Sequence, residues 1–286
     1  MIVWPDVLVA NLARRRGILM IGSGVSRHSV GRGGAIPPTW RGFLDLALGR
    51  LNPRPKHIRD AIRSGNYLDA CDWIKGALDD QWVHLLRENF QAPQYQSAKI
   101  HRLLYQLDCR TVLTPNFDRI YDLHAEMESQ GTTFVKAHSD ADILDHIRQS
   151  DRVVIKAHGT IEHPQQMIFT RSQYAEARTK YFDFYKVLES LIVTNTVLMV
   201  GVGLDDPDFQ LLFEDTAARF RAGLPHYMTY GGKPHPDVAR SARETRNIKL
   251  LPYSSRNNHE ELVESLEDLL RRVSDKRAEL LLTSDW

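Results

Sequence analysis

Four short apolar runs in this chain each end abruptly in small or polar residues, and that pattern narrows the possible folds more than any other feature. Gly17-Ile-Leu-Met-Ile21 opens into Gly22-Ser-Gly-Val-Ser26, and Thr111-Val-Leu-Thr114 into Pro115-Asn-Phe-Asp118. Val153-Val-Ile-Lys-Ala157 leads to His158-Gly159, and Val197-Leu-Met-Val200 to Gly201-Val-Gly-Leu-Asp-Asp206. Each run is too short for a helix and continuously apolar, as a strand buried on both faces must be. Small and polar residues at the ends of such strands are what an open α/β sheet offers to a ligand. In this order and combination the four pieces read as a nucleotide site.

Further strands are expected at about 132–136, at His226–Tyr230 and at Ile248–Tyr253, with the second, third and fourth of the first four at Thr111–Thr114, Arg152–Lys156 and Thr196–Val200. Helices are expected over part of residues 1–16, at Asp140–Gln149, Tyr181–Ile192 and Pro236–Thr245, and as a long closing helix at Glu260–Leu281 with Asn257 and Asn258 available to cap it. Between Trp40 and about Leu107 the apolar residues keep helical spacing and no strand interrupts them, so this stretch reads as a helical insert. Alternating strands and helices predict one α/β domain over 1–286, a doubly wound, mostly parallel Rossmann-like sheet carrying that insert.

Composition removes several function classes. A formal net charge of +1 argues against a nucleic-acid or membrane-surface binder, so no direct sequence-specific nucleic-acid contact is expected. The basic run Arg14-Arg15-Arg16 reads as a solvated helix end or, alternatively, a phosphate or partner contact. Cys71 and Cys109 are the only cysteines, which excludes a four-cysteine zinc module within this sequence. His158 and His163 are five apart and unsupported by cysteine, so no metal is expected. No apolar stretch reaches membrane-span length and no signal peptide is visible, so a cytoplasmic protein is expected.

The strand ends carry the chemistry. Gly22-Ser23-Gly24-Val25-Ser26 permits close backbone approach to a phosphate, or makes a tight strand-to-helix turn. The third glycine of the dinucleotide fingerprint would fall on Arg27, which disfavours a dehydrogenase. Asn116 and Asp118 sit two apart, able to hold a ribose hydroxyl or water, or to form an Asx turn and helix cap. His158 before Gly159 is a candidate general base or a core histidine, while Lys156 reads as structural. Gly201 and Gly203 again allow close approach. Asp205 and Asp206 either bind sugar hydroxyls or cap the helix from Pro207, with capping favoured for Asp206.

In this order the pieces resemble the sirtuin family. Gly22-Ser-Gly24-Val-Ser26 looks like its glycine turn, Gly34-Ala-Ile-Pro37-Pro-Thr-Trp40 loosely like the loop that follows, and Thr114-Pro-Asn116-Phe-Asp118 like its T-Q-N-I-D motif. His158-Gly159 matches the catalytic H-G and Gly201-Val-Gly203 the later G-T-S stretch. The likeness runs from about Gly17 to Tyr253. With no zinc ribbon and a helical insert in the chain, it is similar to bacterial sirtuin-like effectors of antiphage defence that destroy NAD.

That resemblance implies an NAD glycohydrolase that takes NAD as substrate and needs no metal. His158, Asn116 and Asp118 would be catalytic: a general base, an orienter of ribose or water, and a stabiliser of developing positive charge. Gly22, Ser23, Gly24, Ser26, Pro37, Gly201, Gly203, Asp205 and Tyr253 would line the dinucleotide, Tyr253 as an adenine contact or simply a core aromatic. It also implies a homo-oligomer gated by a separate sensor, of the hexameric DNA-translocase ATPase class or of the Argonaute type, since the sequence has no room for a sensor domain of its own. An NAD-dependent deacylase or ADP-ribosyltransferase, and a non-catalytic NAD or ADP-ribose sensor, are the alternatives.

Overall fold

A computed structural model describes residues 1–203, 206–220 and 223–283. Its strands are β1 (Gly17–Ile21), β2 (Thr111–Thr114), β3 (Thr133–Ala137), β4 (Arg152–Lys156), β5 (Thr196–Val200), β6 (His226–Gly231) and β7 (Ile248–Tyr253). They form one sheet in the order β3-β4-β2-β1-β5-β6-β7, every neighbouring pair parallel.

Helix α1 (Asp6–Ala13) precedes β1, and a single turn, α2 (Ser23–Ser26), follows it. Five helices lead to β2: α3 (Trp40–Arg50), α4 (Lys56–Arg63), α5 (Tyr67–Leu78), α6 (Gln81–Phe90) and α7 (Lys99–Gln106). Then come α8 (Ile120–Glu128) before β3, α9 (Ile143–Arg148) before β4, and α10 (Arg171–Lys180) with α11 (Phe182–Thr194) before β5. Helices α12 (Pro207–Arg219), α13 (Pro236–Arg246) and α14 (Arg256–Thr283) follow β5, β6 and β7.

The sheet's two faces are read directly from strand alternation. Leu19 and Ile21 of β1, with Leu198 and Val200 of β5, join a core built with α1, α7 and α14. Ile18 and Met20, with Val197 and Met199, face the opposite way into a core built with α11, α12 and α13. Both faces are therefore covered, which is why β1 and β5 tolerate no polar residue along their central positions. The edge strand β3 lacks this double cover: Phe134 is exposed and the three residues after it are half-buried.

A third core lies off the sheet. Phe43, Leu44 and Leu48 of α3 pack with Ile58 and Ile62 of α4, Cys71 and Ile74 of α5 and Trp82, Leu85 and Leu86 of α6. Ile161, Met167 and Phe169, from the segment between β4 and α10, close it from below. Helix α7 departs from this group. Its Ile100, Leu103 and Leu104 belong to the sheet core beside α14, so the independent helical module ends near Phe90 rather than at Leu107.

Two helices go beyond the sequence expectation, α8 and α10, and one expected cap is absent. Asn257 and Asn258 both adopt left-handed backbone, as does His259. They form a tight bend before the regular helix, with the Asn257 amide donating to Glu260 Oε2 at 3.3 Å.

The connections place the ligand cleft. From β1 the chain moves to one side of the sheet, to β2 and then outward, and after β4 it returns to build β5, β6 and β7 on the other side. Crossovers therefore diverge at β1, and the strand order reverses there, opening a crevice at the carboxyl ends of β1, β2 and β5.

Candidate active site

Two cavities meet at that crevice. The first, of about 370 Å³, lies between the sheet and the helical module, and Gly22, Ser23, Asn116, Asp118, His158 and Asp206 form its sheet side. The second, of about 550 Å³, lies beyond the glycine turns and is bordered by Gly24, Gly201, Tyr253 and His259. Val202 and Gly203 border both. The strand ends singled out from sequence thus converge on two adjoining cavities. Pro37 does not line it, whereas Pro38 does; the Pro37 carbonyl instead accepts from Arg27 at 3.5 Å. Asp205 lies outside the described residues.

The glycines are explained first by the protein's own backbone. A Cβ on Gly22 would sit 2.2 Å from the Gly201 carbonyl oxygen, and one on Gly24 2.8 Å from the Gly201 Cα. Gly201 has φ +64 and would collide with the Val25 amide nitrogen at 2.5 Å. The Gly24 N–H donates to the Gly201 carbonyl at 2.9 Å, so it is not available to a phosphate. The turn after β1 and the turn after β5 are locked together, and ligand approach comes second. Gly22→Ala should therefore destabilise the fold by about 3 kcal/mol, an overpacking cost with rigid backbone on both sides. Its urea midpoint should fall at constant slope, and an unchanged midpoint would contradict this packing.

Ser26, Asn116 and Asp118 form one network. The Ser26 hydroxyl donates to Asp118 Oδ2 at 2.8 Å and accepts from Asn116 Nδ2 at 3.1 Å. The other Asp118 oxygen accepts from the Ile120 N–H at 3.0 Å. Both Asp118 oxygens are engaged, so this carboxylate positions Asn116 through Ser26. Ser26, likewise, spends its hydroxyl inside the network. Asn116 keeps its carbonyl oxygen for a ligand. Beneath them the buried Lys156 ammonium donates to the Asp118 carbonyl and, at 2.8 Å, to the buried Asp122 carboxylate, pinning the loop to α8.

His158 is almost wholly buried at the end of β4. Its Nε2 donates to Asp206 Oδ2 at 2.9 Å, and Tyr174 donates to the same oxygen at 3.2 Å. The second Asp206 oxygen accepts from the Asp208 and Phe209 N–H groups at 3.1 and 3.2 Å. Asp206 thus caps α12, as its sequence position suggested, and orients His158 as well. Burial pulls the imidazole pKa down, but the Asp206 charge and hydrogen bond, with Asp208 behind them, outweigh it and hold the pKa above its ordinary value. Burial likewise pushes the Asp206 pKa up, and His158 more than offsets it, keeping the carboxyl below its usual range. With Asp206 ionised, Nε2 carries the proton towards it, and Nδ1, buried without a hydrogen-bond partner, is left as the acceptor.

The opposite wall is aromatic. Trp40 and Phe43 of α3, Tyr67 of α5 and Phe90 of α6 face the site across Phe117 and Phe169, which stack with centroids 4.5 Å apart. Sequence reasoning missed this wall, because aromatics at helical spacing look the same whether they fill a core or line a cavity. It also missed Tyr174. The signal for its helix was present as Thr170-x-x-Gln173, which forms a capping box here.

This constellation offers a buried base fixed by a carboxylate, an amide lining the same mostly apolar chamber, and a second cavity adjoining it at the paired glycine turns. Residues 110–251 match the family profile described as a SIR2-like domain. Over this segment, just under half of its length, the chain is similar to SIR2-like domains. The match takes in Asn116, His158 and Asp206, whereas the glycine turn after β1 lies upstream of it. Curated relatives bear the name NAD(+) hydrolase ThsA. That of Bacillus cereus (strain MSX-D12) is 25% identical over 199 residues, covering 62% of this chain and 39% of its own. That of Cytobacillus dafuensis is 27% identical over 173 residues, covering 60% and 33%, and that of Acinetobacter baumannii (strain 532279) is 24% identical over 131 residues, covering 46% and 27%. The chain therefore spans well under half the length of these relatives.

Proposed function

We propose that this chain is an NAD glycohydrolase, releasing nicotinamide and ADP-ribose. The observation that carries the reading is the shared cavity of Asn116 and His158, with His158 fixed by Asp206; distant relatives named as NAD hydrolases support it. In the proposed reaction the bond between the ribose carbon and the nicotinamide nitrogen breaks, and its electron pair leaves with the now neutral nicotinamide. The oxocarbenium-like centre that remains is attacked by water, as in glycoside hydrolysis. Asn116 orients the ribose or that water, and His158 Nδ1 takes the proton water loses. The aromatic wall excludes other water from the reacting carbon.

An enzyme of this kind would exhaust its own cell if always active. We therefore assign it the role of a cytoplasmic effector of antiphage defence, assembled as a homo-oligomer and switched on by a separate sensor of the ATPase or Argonaute type. Among the described residues no helix is long and apolar enough to cross a membrane.

Incubating the purified chain with NAD, alone and with the product of a neighbouring gene, and separating the products by chromatography tests the reading. Nicotinamide and ADP-ribose should appear in equal amounts. Asn116→Ala should lower the rate by about two decades, the scale of a lost orienting contact, and Asp118→Asn by less, since it acts through Ser26. Transfer of the ribosyl group to a peptide would overturn hydrolysis in favour of a transferase. NAD binding without turnover under both conditions would point to a sensor.

A further inference from the structure

Helix α3 separates two spaces. Trp40 and Phe43 border the site cavity, while Asp45, Leu48 and Gly49 border a cleft of about 340 Å³ on the outside of the helical module. Arg41 borders both. The cleft's remaining walls are Arg54, Arg59 and Arg63.

Four arginines and one carboxylate therefore border a single cleft. Asp45 approaches Arg41 at 3.8 Å, and among the described residues the side chains of Arg54, Arg59 and Arg63 have no hydrogen-bond or ion-pair partner. Arg59 and Arg63 are four apart on α4, a spacing at which like charges repel and destabilise a helix unless an anion comes between them. Residues 40–63 hold six Lys and Arg against two Asp, in a chain whose formal net charge is only +1. The excess is local, and it is not neutralised from within.

Guanidinium forks match the paired oxygens of phosphate, and several converging forks favour a compact anion of multiple charge. The basic neighbours outside the cleft are already matched: Arg50 reaches Glu88 at 2.6 Å, and Lys56 reaches Asp60 at 3.9 Å. A compact cleft suits a small polyanion better than a nucleic-acid strand, which needs an extended basic track. We propose that this cleft binds a small ligand bearing linked phosphate groups, and that its occupancy weakens dinucleotide binding in the neighbouring cavity by drawing on Arg41. The second half of the proposal rests on the glycohydrolase reading; the first does not.

Calorimetric titration with inorganic tripolyphosphate at low salt tests the cleft directly. The parent protein should bind it, and Arg59→Ala/Arg63→Ala should bind at least about tenfold more weakly, the loss of two charge-assisted contacts. Arg59→Lys/Arg63→Lys should fall between, keeping charge but not the fork. Both variants change exposed side chains and should match the parent in thermal unfolding. No binding by the parent, or equal binding by the double alanine variant, would overturn the site. Tighter binding of a short single-stranded oligonucleotide, lost in the double alanine variant, would reassign the cleft to nucleic acid. In His158→Ala protein, saturating tripolyphosphate should weaken NAD binding by about threefold, a change of roughly 0.65 kcal/mol. Unchanged NAD affinity would remove the coupling while leaving the cleft. Failure to bind NAD at all would overturn the glycohydrolase reading and the coupling together, with the tripolyphosphate result still standing.

Discussion

His158→Ala should lower NAD cleavage by roughly two to four decades, the usual contribution of a positioned general base, in a protein that remains folded. The separation of rate from stability follows from what the imidazole leaves behind. Removing one partner of a buried charge pair normally strands the other, at a cost of several kcal/mol. Here Asp206 keeps two backbone N–H donors and the Tyr174 hydroxyl, so its charge remains solvated by the protein. The imidazole also packs against Tyr174 and Phe209, with ring centroids 4.9 and 5.9 Å away, and a modest cavity cost remains. NAD consumption per folded molecule, measured beside thermal unfolding, checks both halves. Parent-like turnover in a folded His158→Ala protein, assayed under conditions where the parent is active, would refute a base at this position.

The strands were legible because the physics acting on them is local. Strands β1, β2, β4, β5 and β7 fall at the residues expected from sequence, since a strand covered on both faces must be a continuous apolar run closed by a turn former. The edge strand β3 is shifted by one residue, and only one of its five positions is buried, which leaves its pattern weak. Helix α10 buries just Tyr174 and Ala177. With so little apolar face its periodicity does not stand out from a polar loop, and only its capping box marks it.

Site residues divide in the same way. Asn116 and His158 were visible because each stands at the end of a recognisable strand, and parallel strands in one sheet bring their carboxyl ends together. The pairing of His158 with Asp206 joins residues 48 apart in sequence, so only the folded chain reveals it. Capping was an adequate local explanation for Asp206 and hid its second contact. The glycine turns show the reverse case. Sequence left close ligand approach and a tight turn equally open, and the contacts between Gly22, Gly24 and Gly201 supply a packing reason strong enough to require glycine with no ligand present.

Asp206→Asn should separate those two duties of Asp206 and should reduce NAD cleavage by as much as about four decades, the scale seen when the carboxylate that fixes a catalytic histidine's tautomer is replaced by its amide. Asparagine caps a helix about as well as aspartate, so α12 keeps its N-terminal hydrogen bonds and stability should change little. What changes is the proton on His158. An amide NH₂ facing Nε2 donates to it, which moves the ring proton to Nδ1 and removes the acceptor the reaction needs. The charge effect has its own signature in pH. In the parent, cleavage should rise as His158 deprotonates, along a limb centred above the ordinary histidine value near 6.5, because Asp206 raises that pKa. Without the carboxylate, burial is left as the dominant influence and favours the neutral ring, so the limb should move to lower pH while its plateau drops. A variant with a lowered plateau but an unmoved limb would show that Asp206 acts on His158 through orientation alone. One with parent-like rates at every pH would remove Asp206 from the mechanism and leave it as a helix cap.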